Sequence, residues 1–142
     1  DIPMCQVKLL NIVNAHDAGK LINPALAAAQ VHGGMSMGIG FGLTEKMMFD
    51  EKTGRTLNNN LLDYKLSTTM DHPRLNAVFV ENEEPTSAYG TKALGEPPAC
   101  SVAPAIRNAV YQATGVGVNE APVNPHNLFR RFVEEGMFED EK

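Results

Sequence analysis

The segment Lys92–Pro98, KALGEPP, holds the carboxylate with the clearest potential for chemistry: Glu96, placed between a glycine and two prolines. The two prolines restrict the backbone and keep the loop from swinging, while Gly95 lets another group approach the main chain. A carboxylate held in this way suits a general base, which must stay within hydrogen-bonding reach of its proton. It equally suits the start of a helix, where an acid stabilises the helix dipole by about 0.3–1 kcal/mol. Residue types alone leave both roles open.

A glycine-rich helix is predicted upstream, from Pro24 to about Gly40, with Asn23 as its N-cap. Its stretch GGMSMGIGFG costs about 1 kcal/mol for each interior glycine, or on the order of 5 kcal/mol in total. Close packing of another backbone against the helix would offset this cost, and so would the approach of a ligand. Gln30 lies inside the helix as a polar residue that either faces solvent or packs against a neighbouring element.

The remaining elements follow from hydrophobic patterning and turn residues. Three strands are predicted where β-branched and aliphatic residues dominate or alternate: Val7–Ala15, Thr44–Asp50 and Leu75–Glu81. A hairpin turn is expected at Asp50–Arg55, a loop from Pro85 to Pro98, and helices at Ala103–Gly115 and after Pro125. This order favours an α+β fold with mixed or antiparallel strands and packed helices.

The chain of 142 residues is expected to form a single domain, with residues 133–142 as a flexible acidic tail. It does not begin with Met, and we expect it to be a piece of a longer protein. Two cysteines make no disulfide framework, which favours a reducing, cytoplasmic location. The net charge of −5 without a basic stripe argues against a nucleic-acid partner. The longest apolar stretch, Ala25–Leu43, is interrupted by polar residues, which argues against a membrane span.

Several common site motifs do not match the sequence. The glycine stretch is not GxGxxG, because Leu43 stands at the last position, and no GxxxxGK[ST] segment occurs. No GxSxG nucleophile motif is present either. The four histidines are scattered without the spacing of metal ligands, so we expect no metal site built from this chain alone.

Two long blocks, however, resemble the molybdenum subunit of the xanthine dehydrogenase family. They are YGTKALGEPPACSVAPAIRNAV (Tyr89–Val110) and HDAGKLINPALAAAQVHGGMSMGIGFGLTE (His16–Glu45). The blocks stand in the family's order, and the intervening GRTLNNNLLDYKLSTTMDHP (Gly54–Pro73) is similar to its connecting segment. The resemblance runs from about Val7 to Phe132 and corresponds to the C-terminal part of that subunit.

The resemblance implies a role for three residues. Glu96 matches the glutamate that acts as general base at the molybdenum centre, and Gln30 matches a glutamine that touches the molybdopterin cofactor. Gly95 is a further candidate for backbone approach to the cofactor. Asp17 and Gly19 match family positions but are interpreted as turn-forming. The implied reaction is hydroxylation of a purine carbon with oxygen from water and hydride transfer to molybdenum.

The resemblance also implies partners that this chain lacks. The molybdenum–molybdopterin cofactor would be shared with the upstream part of the subunit, and iron–sulfur clusters and FAD would lie on other domains or subunits. The chain alone is therefore expected to be inactive. Within the family, an aldehyde or another N-heterocycle such as nicotinate is the alternative substrate. Outside it, the alternative is a structural or assembly module in which Glu96 merely starts a helix.

Overall fold

The computed structural model describes residues 1–138, which form two strands and four helices. In chain order these are β1 (Asn11–Asp17), α1 (Pro24–Leu43), β2 (Arg74–Val80), α2 (Pro97–Cys100), α3 (Val102–Thr114) and α4 (Pro125–Glu134). A single 3₁₀ turn at Ala88–Gly90 lies in the segment that was expected to be loop. The combination of strands and packed helices confirms the α+β prediction.

The two strands pair in parallel, with Asn11 opposite Arg74 and Asp17 opposite Val80. Antiparallel pairing among residues 1–138 is confined to two isolated bridges, Gly19 with Thr91 and Phe49 with Thr56. A parallel pair needs a long crossover, which α1 supplies. The first predicted strand is shifted in the structure from Val7–Ala15 to β1. Its partner β2 begins only after Pro73, which has no N–H to extend the ladder.

The predicted strand Thr44–Asp50 is wrong, because the structure has only the bridge at Phe49 there. The side chain of Asn58 occupies the backbone groups that a neighbouring strand would bind. Its Oδ1 accepts from the Met48 N–H at 2.8 Å, and its Nδ2 donates to the Lys46 carbonyl at 2.7 Å. The turn at Asp50–Arg55 is confirmed: Asp50 N–H donates to the Arg55 carbonyl, and Gly54 has a positive φ of 69°.

The boundaries of α1, α3 and α4 agree closely with the sequence predictions, whereas the short α2 was not predicted and begins within the expected loop. Asn23 caps α1 by accepting from the Leu26 N–H, and Asn124 caps α4 in the same way from Asn127. Gly115 ends α3 in the left-handed conformation with φ of 74°. The helix α4 extends to Glu134, and the Phe138 ring stacks on Phe129 at 5.7 Å between centroids. Residues 139–142 of the predicted acidic tail lie outside the described residues.

The core is divided into two clusters, one beneath α1 and one beneath α4. The first joins α1 to α3 and holds Val31, Met35, Ile39, Val102 and Ile106, with side chains of both strands packed against it. The second contains Val110, Val116, Val118, Val123, Leu128 and Phe132, together with the free thiol of Cys5. No helix within residues 1–138 combines the length and apolar character needed to cross a bilayer.

Three glycines of α1 explain most of the glycine run. At four-residue spacing they form the surface on which α2 and α3 lie, because a Cβ at Gly34 would stand 2.6 Å from the Pro98 Cβ. A Cβ at Gly38 would stand 2.5 Å from the Val102 Cβ, and one at Gly42 would stand 2.8 Å from the Ile106 Cδ1. Real Cβ atoms do not approach this closely, so close backbone packing, the first explanation for the glycine cost, holds at these positions.

Substitution of Gly34 by alanine should therefore destabilise the chain, whereas substitution of its neighbour should not. We expect Gly34→Ala to lower the free energy of unfolding by about 1–3 kcal/mol, because it overpacks the contact with Pro98. A Cβ at Gly33 meets nothing within 4 Å, so Gly33→Ala should be neutral or raise that free energy by up to about 1 kcal/mol. Denaturant unfolding of the two variants checks this; equal effects would contradict it.

Candidate active site

The segment Lys92–Pro98 is fixed at its first residue by the end of β1. The Lys92 N–H donates to the Ala18 carbonyl at 2.9 Å, and its Nζ donates to the Asp17 carboxylate at 2.6 Å. The turn that follows β1 approaches the segment closely, since a Cβ at Gly19 would lie 2.2 Å from the Gly90 carbonyl oxygen. Only glycine fits this position, where φ is also positive at 62°.

The middle of the segment is fixed by α1. The Gln30 Nε2 donates to the Gly95 carbonyl at 2.9 Å, which joins residues 65 positions apart in sequence. Leu94 packs against the core cluster beneath α1. The structure therefore brings together all three residues that the sequence singled out, since Glu96 directly follows Gly95.

The end of the segment is fixed most firmly. The side chain of Pro98 is fully buried and lies against Gly34 of α1. The Pro98 carbonyl accepts a hydrogen bond at 2.9 Å from the amide Nδ2 of Asn14, a buried residue of β1. Strand and helix thus hold the same residue from two directions, two positions after Glu96.

Glu96 is exposed, and its carboxylate is the charged group in the second half of the segment. Its backbone occupies the N-cap position of α2, but its carboxylate makes no capping hydrogen bond. Within residues 1–138 the carboxylate has no salt-bridge or hydrogen-bond partner, and the residue is exposed. Any stabilisation that Glu96 gives α2 therefore comes from the helix dipole alone, and its carboxylate is left available to an external partner.

The ion pair between Asp17 and Lys92 at the start of the segment lowers the pKa of Asp17. The Lys92 ammonium, followed by the Gly19 N–H, holds the pKa of the Asp17 carboxyl below its ordinary value of 3.8. Because the folded pKa is lowered, ionised Asp17 stabilises the native segment above the unfolded pKa, and the contribution is lost as pH falls through the folded pKa.

The sequence and the resemblance predict Glu96, Gln30 and Gly95 as site residues, but they do not indicate that Asp17 and Asn14 hold the segment in place. Asp17 forms the expected turn, accepting from the Gly19 N–H at 2.9 Å, yet it also binds Lys92. Asn14 was treated only as part of an apolar strand. The available signal was that the run VKLLNIVNA, predicted as a buried strand, holds two amides, Asn11 and Asn14, and a buried amide requires a hydrogen-bond partner.

Comparison with known proteins identifies the family. Residues 1–73 match the sequence profile described as "Molybdopterin cofactor-binding domain". The chain is 54% identical over 132 residues to the putative xanthine dehydrogenase molybdenum-binding subunit XdhA of Escherichia coli K12, which covers 93% of this chain and 18% of that protein. It is 34% identical over 124 residues to the aldehyde oxidoreductase molybdenum-binding subunit PaoC of the same strain, covering 87% of this chain and 17% of that protein.

The fold agrees with these relatives. The structure matches quinoline 2-oxidoreductase from Pseudomonas putida 86 with a TM-score of 0.82 and 28% identity, covering 89% of this chain and 16% of that one. The chain belongs to the molybdopterin cofactor-binding domain family, within the molybdenum-binding subunits of the xanthine dehydrogenase and aldehyde oxidoreductase group. It spans about a fifth of the length of the relatives it matches. Its placement at their C-terminal end stays a prediction.

The residues at the site fit a pterin-held metal better than a metal bound directly by this chain. No group of three His, Cys, Asp or Glu side chains in the part of the chain that the structure describes could hold an ion. The segment offers hydrogen-bonding groups instead. The Gln30 Oε1 has no partner within residues 1–138, and a Cβ at Gly95 would meet nothing within 4 Å. An exposed amide, open backbone and a carboxylate suit contact with an organic cofactor.

The Asp17–Lys92 pair generates a prediction about pH. Asp17→Asn removes the charge that holds Lys92, so amide hydrogen exchange of residues 90–95 should be faster than in the wild type at pH 6. The difference should shrink as the pH falls below 3.8 and through the lowered pKa of folded Asp17, because wild-type Asp17 then loses its charge as well.

Exchange measured by mass spectrometry and corrected for intrinsic rates checks this pH dependence. Asp63→Asn, a remote exposed carboxylate on another loop, is the matched control and should leave residues 90–95 unchanged. An Asp17→Asn effect that does not shrink as the pH is lowered would contradict the role of the ion pair.

Proposed function

We propose that this chain supplies the general base and part of the cofactor contact of a molybdenum hydroxylase that oxidises a purine, with xanthine or hypoxanthine as the expected substrate. The observation that carries the proposal is the state of Glu96. Contacts to β1 and α1 hold the residues on both sides of it, while its own carboxylate has no partner within residues 1–138. Such an arrangement leaves a carboxylate on a firmly held backbone available to another molecule.

Each residue then has a defined task. Glu96 accepts a proton from the water that provides the oxygen of the product, a contribution typically worth about 10²–10⁴-fold in rate. Gln30 donates through Nε2 to the Gly95 carbonyl and has Oε1 available to accept from the cofactor. Gly95 lets the cofactor come near the backbone, since no side chain stands there. When bound, the molybdenum cofactor supplies the two-electron oxidation of the substrate.

The choice of a purine as substrate rests on the higher sequence identity to one named group of relatives than to another. Identity is 54% to the subunit named for xanthine dehydrogenase and 34% to the subunit named for aldehyde oxidoreductase. The segment KALGEPP also resembles the xanthine-oxidising branch more than the aldehyde-oxidising one. The solved quinoline oxidoreductase keeps an N-heterocycle other than a purine as the alternative substrate class.

Exposed apolar side chains support the partners that the proposal requires. Leu61, Leu62 and Met70 are 75%, 76% and 91% exposed, and Leu26, Met37 and Phe41 are exposed along α1. Neighbouring exposed apolar side chains, such as Leu61 and Leu62, are typical of an interaction site. We propose that the rest of the molybdenum subunit covers it, and that iron–sulfur and FAD-containing domains or subunits carry the electrons away. A cytoplasmic location remains part of the proposal, supported by two unbonded cysteines.

The proposal predicts that Glu96→Gln in the intact, cofactor-loaded enzyme lowers kcat for xanthine by about 10²–10⁴-fold. Molybdenum content should stay unchanged, because the amide keeps the shape of the side chain and loses only its basicity. Steady-state turnover at equal molybdenum content is the measurement.

The control for this experiment is Glu51→Gln, an exposed glutamate in the turn after Asp50, which should retain the wild-type rate. A kcat of Glu96→Gln within about twofold of wild type would make Glu96 a structural residue and favour the hypothesis of a structural or assembly module. If the wild-type enzyme oxidises an aldehyde but not xanthine, the purine assignment fails and the base remains testable on the aldehyde.

Gln30 generates a separate prediction about the cofactor. Gln30→Leu removes the hydrogen bond to the Gly95 carbonyl and the free amide oxygen, so cofactor affinity should fall by about fivefold, the equivalent of about 1 kcal/mol. Metal analysis of the purified intact enzyme should show the loss as lower molybdenum content. Gln112→Leu, an exposed glutamine of α3, is the matched control; equal molybdenum in both variants would remove Gln30 from the cofactor contact.

A further inference from the structure

Asn14 is a buried amide in the middle of β1, only 7% exposed. Its Nδ2 donates to the Pro98 carbonyl at 2.9 Å across 84 positions of sequence. Only two other polar residues in the described chain, Asn58 and Asn127, are buried to the same degree. Each of these binds a backbone carbonyl near its own position, 12 and 5 residues away, so Asn14 is the one that joins distant elements.

The strand that carries Asn14 has little freedom to move. It pairs with β2 along its whole length, with Asn14 opposite Ala77. Pro98 is equally constrained on its other side, where its ring lies against Gly34 of α1. The hydrogen bond therefore connects two rigid elements and sets the distance between β1 and the residues that follow Glu96.

The hydrogen bond from Asn14 constrains the segment more strongly than the hydrogen bond from Gln30 does. The hydrogen bond of Gln30 to the Gly95 carbonyl is exposed, and water can replace it. The bond of Asn14 to the Pro98 carbonyl is buried, so its loss leaves a carbonyl without a partner in the interior. The segment would then have to shift toward solvent to satisfy that carbonyl, and Glu96 would shift with it.

We infer that Asn14 is a positioning residue for Glu96: it holds the carboxylate at its working distance through the Pro98 carbonyl without touching the cofactor or substrate. The inference rests on the proposed role of Glu96 as the base. A displacement of about 1 Å in a reacting group can cost up to 10²-fold in rate. The buried hydrogen bond from Asn14 to the Pro98 carbonyl, two residues after Glu96, opposes such a displacement.

The test uses the intact, cofactor-loaded enzyme with xanthine as substrate. Asn14→Leu keeps the branched shape of the side chain but removes the donor, and should lower kcat about tenfold or more while KM changes less than about twofold. Molybdenum content should match the wild type. The matched control is Asn11→Leu on the same strand, where the exposed side chain binds only Asn76, and it should leave kcat unchanged.

A second measurement separates positioning from general loss of stability. Asn14→Leu is combined with Glu96→Asp, whose shorter side chain already withdraws the carboxylate. If Asn14 acts through the carboxylate, its substitution should cost less than about threefold in the Glu96→Asp background. Equal cost in both backgrounds would show that Asn14 acts on the fold in general and would overturn the inference.

The remaining outcomes are also decisive. Wild-type kcat in Asn14→Leu, with Glu96→Asp impaired, would overturn the positioning role and leave the proposed function standing. Wild-type kcat in Glu96→Asp and Glu96→Gln at equal molybdenum would overturn the proposed function, and the inference with it. If Asn14→Leu does not fold, Asn14→Ala is measured instead, and a wild-type kcat in that variant contradicts the inference.

Discussion

The close contact between α1 and the residues from Pro98 to Ile106 is the constraint on which the rest of the structure depends. Three glycines at four-residue spacing leave one stripe of α1 without side chains, so α2 and α3 approach its backbone directly there. The glycines carry a cost of about 1 kcal/mol each in helix propensity. Burial of Val31, Met35, Ile39, Val102 and Ile106 on the two sides of the contact offsets that cost.

The contact determines where Glu96 stands. Since Pro98 is pressed against Gly34, the two residues before it have few positions available, and hydrogen bonds from Gln30 and Asn14 select one of them. The ion pair of Lys92 with Asp17 anchors the opposite end of the segment. Several weak interactions thus converge on a single carboxylate that takes part in none of them. This distribution is typical of a site whose partner is supplied from outside the chain.

Local signals in the sequence predicted most elements, whereas long-range pairing was beyond them. Asn23, Gly115 and Pro125 placed helix boundaries well, because caps and prolines act within one helical turn. The segment Thr44–Asp50 has strand-like residues but no neighbouring strand, and the Asn58 side chain takes its backbone partners. A propensity cannot reveal whether a partner strand exists. The parallel register of β1 and β2 was undetectable for the same reason.

The candidate site shows the same difference between local signals, which the sequence reveals, and long-range contacts, which it does not. Glu96 and its prolines stand out in sequence because their chemistry is local, and the resemblance to a family added Gln30 and Gly95. The partners of Asn14 and of Asp17 could not be found in this way, since each lies more than 70 positions away in sequence. Their roles depend on which strand the segment meets after folding.

The most direct measurement is the crystal structure of the intact subunit with its molybdenum cofactor bound. We expect the Glu96 carboxylate to face the metal centre within hydrogen-bonding reach of the reacting atom, about 3 Å. Gln30 should contact the cofactor, with the bonds to the Gly95 and Pro98 carbonyls retained. A Glu96 side chain that points into bulk solvent, or that pairs with a residue on a face remote from the cofactor, would contradict the assignment.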